Sequence, residues 1–418
     1  MKDFNWATFA SLSALARLNF VTALVYIYIM GGSTQVCAAP QWAEFRGDIR
    51  RTGRARIHLV YNPTAQVVYR TGSGCSASPV IGQSGVIYYG AYDRCFYGID
   101  PVGTPAWPRY VTSDIIITSA AIAADGSIYF GTSGGAVHAL YPDGTPKWQT
   151  PFRAGNQSIS GAITVGVNGS ICFASDNGRV YSLDPATGQE RWSYYIGGAL
   201  KYGVTSSPDG SVFYVPSTNG YLYALNANGT LKWKSNKPVY AANACAVGDN
   251  GVIYVGGTDY NMYALSPVDG SQVWARRVYG KITTPAAIGW DGSIYFGSAD
   301  LNFYALNPDG SIRWTYWVRD TVYSAPVVDR EGKVIFGTPS GSVLALNASN
   351  GNTLWTRTIG AGIYSSPAAA LDGSIYILDN AGVLSRLSGP VSPEPSSLAV
   401  LGGGIFLATV FAIRRPHR

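Results

Sequence analysis

Short apolar runs alternate with glycine-centred polar pairs along most of the chain, and the alternation itself repeats. In Asp291–Trp314 two β-type runs, Ser293–Gly297 and Leu301–Leu306, are flanked by Asp291-Gly292 and by Pro308-Asp309-Gly310. Such pairs supply a positive φ at low cost and mark tight hairpins. The same module returns through Trp107, Trp148, Trp192, Trp233, Trp274, Trp314 and Trp355, spaced 41, 44, 41, 41, 40 and 41 residues apart. Each Trp follows a glycine by four positions: Gly103, Gly144, Gly188, Gly229, Gly270, Gly310 and Gly351.

Before most of these glycines an apolar run ends in a pair such as Ala224-Leu225, Ala264-Leu265 or Ala305-Leu306. Ahead of the Asp-Gly or Asn-Gly turn lies a run of small residues, often with proline: Ser78–Ile81, Ser119–Ile122, Thr284–Ala286, Ser366–Ala368. Each unit thus predicts four strands, and four antiparallel strands per 40–45 residues make the blade of a β-propeller. A lone four-stranded sheet has two apolar faces; stacking sheets around an axis covers both, and small residues suit the crowded innermost strand. The expected fold is all-β, an eight-bladed propeller of four-stranded antiparallel blades. The eighth copy, Tyr364–Leu387, lacks its Trp strand, so Ala65–Arg70 is expected to pair with 383–387 and close the ring. Tyr69, 38 residues before Trp107, falls near one repeat length.

The blades resemble those of quinoprotein-type propellers, whose units carry Ala-x-Asp-x-x-Thr-Gly-x-x-x-Trp; Ser182–Trp192 shows this most fully. Trp42–Asp48 with Arg51-Thr52-Gly53 also resembles the opening of exported proteins of that type. The WD-type propeller has a similar period, but its Gly-His and Trp-Asp pairs do not recur. The quinoprotein resemblance implies one further function class, oxidation of alcohols or sugars with pyrroloquinoline quinone and calcium. Against it, no Cys-Cys pair exists and the uniform repeats leave little room for the loops that carry such a site. No cofactor and no metal are therefore expected, and the quinone-dependent dehydrogenase is the alternative reading. Propeller lipoproteins of outer-membrane assembly offer a second resemblance, one that implies a scaffold role.

Composition changes the picture mainly at the ends. Residues 1–39 read as a secretory signal: Lys2 and Arg17, an apolar core Phe20–Met30, then small residues at Ala38 and Ala39. At the other end, a linker over 389–397 holds Pro393-Glu394-Pro395, followed by the apolar run 398–413 and by Arg414 and Arg415. Sixteen helical residues reach ~24 Å, short of a ~30 Å hydrocarbon core. This tail resembles the PEP-CTERM sorting signal of Gram-negative bacteria, which implies transient membrane insertion, recognition by an exosortase, and release to the cell surface or extracellular matrix. The expected organisation is signal 1–39, propeller 40–388, linker 389–397 and sorting segment 398–418, with a monomeric propeller. Of the formal net charge of +6, the leader carries +1 and the C-terminal arginines +3, leaving +2, too little for a nucleic-acid footprint.

Candidate chemistry is sparse. The seven Trp are read as packing residues between blades, and the aspartates at Asp125, Asp209, Asp291, Asp372, Asp143, Asp269 and Asp309 as turn formers rather than calcium ligands. Cys75 and Cys95 share a repeat and are candidates for a disulfide, whereas Cys172 and Cys245 are expected to be buried thiols. What differs most between copies is the loop from each Trp strand to the next blade. It contributes Arg153, Tyr202, Arg276, Arg277, Lys281, Trp317, Arg319 and Asp320, with Asn156, Gln157, Tyr279, Tyr316, Tyr323 and Tyr364. Aromatics with scattered arginines suit a binding rim. The expected function is an exported, non-enzymatic scaffold that binds an envelope protein or polysaccharide.

Overall fold

The computed structural model describes residues 41–391. The signal, the Pro393-Glu394-Pro395 motif, the run 398–413, Arg414 and Arg415 lie outside the described residues. Among the described residues thirty-two strands form eight four-stranded antiparallel sheets, seven of them built from consecutive strands in chain order from the axis outward. Blades I to VII run from the inner strands Val80–Ile81, Ala121–Ile122, Thr164–Val165, Thr205–Ser206, Ala246–Val247, Ala287–Ile288 and Val327–Val328. Blade VIII starts at Ala368–Ala369, and its outer strand is Thr64–Arg70. The ring therefore closes as expected, with Thr64–Arg70 paired antiparallel to Val383–Ser388.

The closing register accounts for the departures in the eighth copy. In other blades a small residue faces the Trp across the outer pair: Ala305 opposite Trp314, Ala264 opposite Trp274, Ser182 opposite Trp192. In blade VIII that pair is Arg386 and Gln66. The Trp slot thus belongs to Gln66, three residues before Tyr69, and with no indole to accommodate, Arg386 replaces the alanine.

Core residues lie between blades, in clusters that join the facing sides of neighbouring sheets. Each indole reaches across such a junction. Trp107, Trp148, Trp192, Trp233, Trp274 and Trp314 donate Nε1–H to a carbonyl of the next blade's turn, at Pro142, Pro185, Ala227, Pro267, Pro308 and Ala348, over 2.9–3.1 Å. In blades II to VII the glycine four residues before the Trp seats the preceding blade's indole; Gly103 of blade I instead meets Val68 of the closing strand. At Gly310, φ is 82° and a Cβ would lie 2.7 Å from Trp274 Cδ2. A side chain there meets both a left-handed backbone and an occupied space. Trp355 alone has no partner for its N–H, because blade VIII has no turn between its third and outer strands.

Inner strands turn one edge toward the axis, and residues 42–53 satisfy it. The Ile81 and Ile122 amides donate to Trp42 O and Ala43 O (2.9 and 2.7 Å), and Val165 N–H donates to Glu44 Oε1 at 2.8 Å. Ser206, Val247, Ile288 and Val328 donate to Ile49, Arg50, Thr52 and Gly53 carbonyls over 2.8–3.0 Å. The segment thus winds past seven blades in turn and plugs the axis. Asp48 shapes it by accepting from Arg50 N, Thr52 N and Thr52 Oγ1. Gly53 must be glycine: at φ 68° a Cβ would lie 2.6 Å from Pro326 O. Among the described residues no helix is long and apolar enough to cross a membrane.

All four cysteines of the propeller are free and buried, so Cys75 and Cys95 form no disulfide. Cys75 Sγ instead donates to Gly90 O at 2.8 Å. The turn aspartates bond their own turns: Asp125, Asp209, Asp291 and Asp372 accept the N–H two residues on.

The unpartnered indole gives a direct comparison. Trp314→Phe removes a bond to Ala348 O and should cost about 1 kcal/mol more stability than Trp355→Phe, which removes none. Denaturant midpoints of the two variants check this; equal losses would contradict the role assigned to the indole N–H.

Candidate functional site

The antiparallel order places two kinds of connection at opposite ends of the blades. The Asp-Gly and Pro-Asp-Gly turns share one end, here the turn face. The turns from second to third strand and the loops between blades share the other, the loop face. The two faces differ in how they treat charge. Every ion pair among the described residues lies on the turn face, including Lys147–Asp125, Arg191–Asp184, Arg313–Asp291, Arg386–Asp372 and the Arg50 and Arg54 pairs to Asp249.

On the loop face the acids are used internally. Asp93 and Asp300 accept from the hydroxyls of Tyr97 and Tyr304 at 2.5 and 2.6 Å, and Asp259 accepts from Tyr263. Asp320 accepts from the amides of Thr321 and Ser340, both at 2.8 Å. Burial and then the neighbouring Asp carboxylate push the Tyr263 and Tyr304 hydroxyls above the usual range, so these pairs hold a tyrosine proton against a carboxylate. Arg153, Arg277, Lys281 and Arg319 are exposed and in no ion pair. Two of them stack on aromatic rings: Arg319 over Trp317 at 4.9 Å and Arg277 over Tyr260 at 5.6 Å.

Exposed aromatics gather on this face too. Tyr195, Tyr240, Tyr260, Tyr279, Trp317, Tyr323 and Tyr364 belong to it, against Tyr141 and Trp290 on the turn face. Backbone geometry reinforces the difference. The turn from second to third strand needs a left-handed residue, which is glycine in five blades (Gly135, Gly178, Gly220, Gly341, Gly382). Blades I, V and VI place Arg94, Tyr260 and Leu301 there at φ 66°, 74° and 68°. A left-handed non-glycine residue costs about 1 kcal/mol or more, so these three side chains sit where stability alone favours glycine.

At the centre of the loop face a cavity of about 210 Å³ opens on the axis, lined by residues from all eight blades, with Phe45 and Arg51 of the axial plug as its floor. Serines from several blades line the wall, and Tyr323 and Tyr364 stand together at 5.6 Å between ring centroids. Arg51 is 1% exposed; its Nη2 donates to Ala162 O at 3.0 Å and its Nη1 to Tyr202 O at 3.4 Å, while Nε has no partner.

The rim residues expected from sequence therefore separate into three groups. Tyr202 lines the axial cavity. Arg153, Arg277, Lys281, Trp317 and Arg319 are exposed on the loop face. Arg276 and Asp320 instead knit blades together, Arg276 through a 2.6 Å bond from Nε to Gly310 O. The floor residues Phe45 and Arg51 and the polar wall residue Asn243 were not expected. Arg51 was visible in the Trp42–Gly53 motif, but only the path of that segment through the axis brings it to the site.

A quinone with calcium does not fit these residues. No Asp or Glu lines the axial cavity to bind the ion or take a substrate proton. Among the described residues no group of three His, Cys, Asp or Glu side chains gathers anywhere.

Below the cavity, Glu44 is buried with Oε2 unpartnered. Burial pushes its carboxyl up to about 8, against the Val165 amide and the Arg51 charge, which lower it. Burial likewise pulls Arg46 and Arg51 down to about 9 and about 10. An acid whose folded pKa is raised stabilises the fold at low pH, and that contribution disappears as pH rises through the folded value. The Tm of the protein should therefore lose this contribution between about pH 4.5 and 8. Glu44→Gln should remove it and rise relative to the parent across that window. Parallel Tm profiles from pH 4.5 to 8 would contradict this.

Comparison with known proteins gives the same architecture. An outer membrane protein assembly factor BamB of Nitrosomonas eutropha is 25% identical over 192 residues, covering 46% of this chain and 37% of the relative. The BamB of Bordetella pertussis is 26% identical over 190 residues, 46% of this chain and 39% of its own. The chain thus spans well under half the length of these relatives. Among solved structures, BamB from Moraxella catarrhalis superposes with a TM-score of 0.64 at 16% identity, over 79% of this chain and 100% of that one. A quinohemoprotein alcohol dehydrogenase from Comamonas testosteroni gives 0.71 at 14%, over 84% and 81%, and a europium-containing methanol dehydrogenase 0.70 at 16%, over 81% and 89%. At these identities the likeness is one of fold. Residues 49–181 and 176–389 match the model of the PQQ-like repeat family described as outer membrane protein assembly factor BamB, and the chain belongs to that family.

Proposed function

We propose that this protein is an exported, non-enzymatic propeller scaffold of the cell envelope whose loop face docks an acidic partner. The observation that carries the reading is that every ion pair among the described residues lies on the turn face, which also leaves Arg330 and Lys232 unpaired, whereas the loop face pairs none of its exposed cations and gathers most of the exposed aromatic rings. Exposed Tyr, Trp and Arg supply contact area and charge at little ordering cost, and unpaired cations steer an anionic surface into place. The outer-membrane assembly role that the relatives' name carries favours a protein partner, with a surface polysaccharide as the other candidate of the same charge. Export through residues 1–39 and sorting by an exosortase through 393–418 fit such a location, and the propeller 40–388 is the released unit.

Leu301 offers a test in which stability and binding move apart. Leu301→Gly relieves the left-handed strain and should raise the unfolding free energy by up to about 1 kcal/mol, read as a higher denaturant midpoint. It should also weaken partner capture. Photo-crosslinkers at Trp317 and Tyr279, on whole cells, should trap a partner, and one at Val102, 82% exposed on the turn face, should not. Equal crosslinking from both faces would sink the proposal. Purified protein supplied with pyrroloquinoline quinone and calcium should reduce no dye with alcohols or sugars; reduction would favour the dehydrogenase reading.

A further inference from the structure

We infer that the turn face is a lipid-docking surface, whose apolar turn tips seat on a zwitterionic bilayer while the run 398–413 is held in it. The inference rests on the reading of 398–413 as a membrane-held segment and adds which face of the propeller meets the lipid. Short turns favour Gly, Asn, Asp, Ser and Pro, and an aliphatic side chain at an exposed turn tip contributes nothing to the fold. Yet Val102, Val167, Val268 and Leu371 stand at such tips, 63–82% exposed, and Tyr141 and Trp290 join them. The six come from blades I, III, V, VIII, II and VI. The exposed apolar residues of the loop face, by contrast, are mostly aromatic.

Their arrangement selects the occupant. A protein partner buries one compact patch with its strongest contacts near the centre, whereas tips spread over six of eight blades match a plane. The two blades without an apolar tip, IV and VII, offer exposed and unpaired cations instead, Lys232 and Arg330. Trp290 lies against the guanidiniums of Arg54 and Arg330, at 5.1 and 5.0 Å from its ring centroid. An indole beside arginines suits the headgroup level of a bilayer, where the ring meets the acyl boundary and the cations meet phosphate. The turn carboxylates, among them Asp125, Asp209, Asp291 and Asp372, keep the face from being cationic, so a zwitterionic bilayer suits it better than an anionic one.

The end of the described chain supplies the tether. Val391 packs on the turn face, where a Cβ at Gly373 would lie 2.5 Å from its Cγ1. Six residues, 392–397, separate it from Leu398 and the apolar run. Fully extended, that link reaches at most ~25 Å. A path from the inner turns outward across four strands and down a five-residue strand takes about 30 Å. The link thus brings the turn face to the membrane and leaves the loop face free for its partner.

The full chain in phosphatidylcholine vesicles tests this. A fluorophore is attached through Val102→Cys or Tyr279→Cys in a Cys37→Ser background, since Cys75, Cys95, Cys172 and Cys245 are buried. Interfacial side chains seat ~5–10 Å into the headgroup and acyl boundary, so a nitroxide-bearing lipid should cut the Val102→Cys emission at least about twofold. The Tyr279→Cys emission, on the loop face, should not change. Val268→Asn combined with Leu371→Asn, both at exposed tips, should reverse most of the quenching while the chain still floats with the vesicles. Quenching that survives this pair means that the tether alone holds the face near lipid, and overturns the inference. Equal quenching on both faces overturns it too. So does a Val102→Cys probe shielded from aqueous iodide yet untouched by the nitroxide lipid, the signature of a protein or a second copy on this face. Flotation without quenching at the turn face overturns the inference alone; a chain that does not float overturns the reading of 398–413 together with it. Crosslinking from the loop face is independent of these measurements, so the partner-docking reading can fail or stand alone.

Discussion

Eight inner strands present one edge to the axis of the ring, and the backbone amides on that edge need acceptors once chain covers them. The segment Trp42–Gly53 solves this by supplying a carbonyl or carboxylate oxygen to seven blades in turn. An unmet buried amide costs on the order of 1–3 kcal/mol, so a ring of them is a constraint that the fold must answer with chain. Gly47, Asp48 and Gly53 follow from it, because the segment must turn sharply and pass close to Trp42 and Pro326. The same path buries Glu44, Arg46 and Arg51, and turns what would be an open channel into a cavity with a floor.

The periphery is governed by a second repeating contact, the indole that crosses to the next blade and rests on its glycine. These two contacts explain why the repeats are so uniform: a change in length at either end of a blade misplaces an indole or an amide. Variation is left to the exposed positions of the loop face, because buried loop residues such as Ile116, Ile159, Ile282 and Ile363 belong to the core between blades. Arg94, Tyr260 and Leu301 exploit that freedom at the expense of backbone strain, and the unpaired cations beside them are consistent with a surface selected for contact rather than stability.

Much of this architecture was legible in the sequence, because its causes are local and repeated. The Asp-Gly turns, the Gly-to-Trp spacing and the missing Trp of the eighth copy each pointed to the ring and its closure. Gln66 was missed as the occupant of the Trp slot although it lies one full repeat of 41 residues before Trp107, because an aromatic was sought there and Tyr69 is the nearest one. The candidate site was less legible. Exposed loop residues such as Trp317 and Arg319 stood out as variable, but Arg276 and Asp320 look the same in sequence and are structural ties. Arg51 and Asn243 come together only through the fold: one belongs to a segment far from the repeats, the other to an inner-strand approach that resembles its neighbours.

The central claim is that residues 42–53 are an integral plug rather than a leader that happens to lie nearby. Native-state hydrogen exchange at the amides of Ile81, Ile122, Val165, Ser206, Val247, Ile288 and Val328 tests it most directly. The account predicts that all seven exchange only with global unfolding, as slowly as the paired amides of the central strands. Rapid exchange at these positions, with the central strands still protected, would show that the segment leaves the axis easily and would contradict the account.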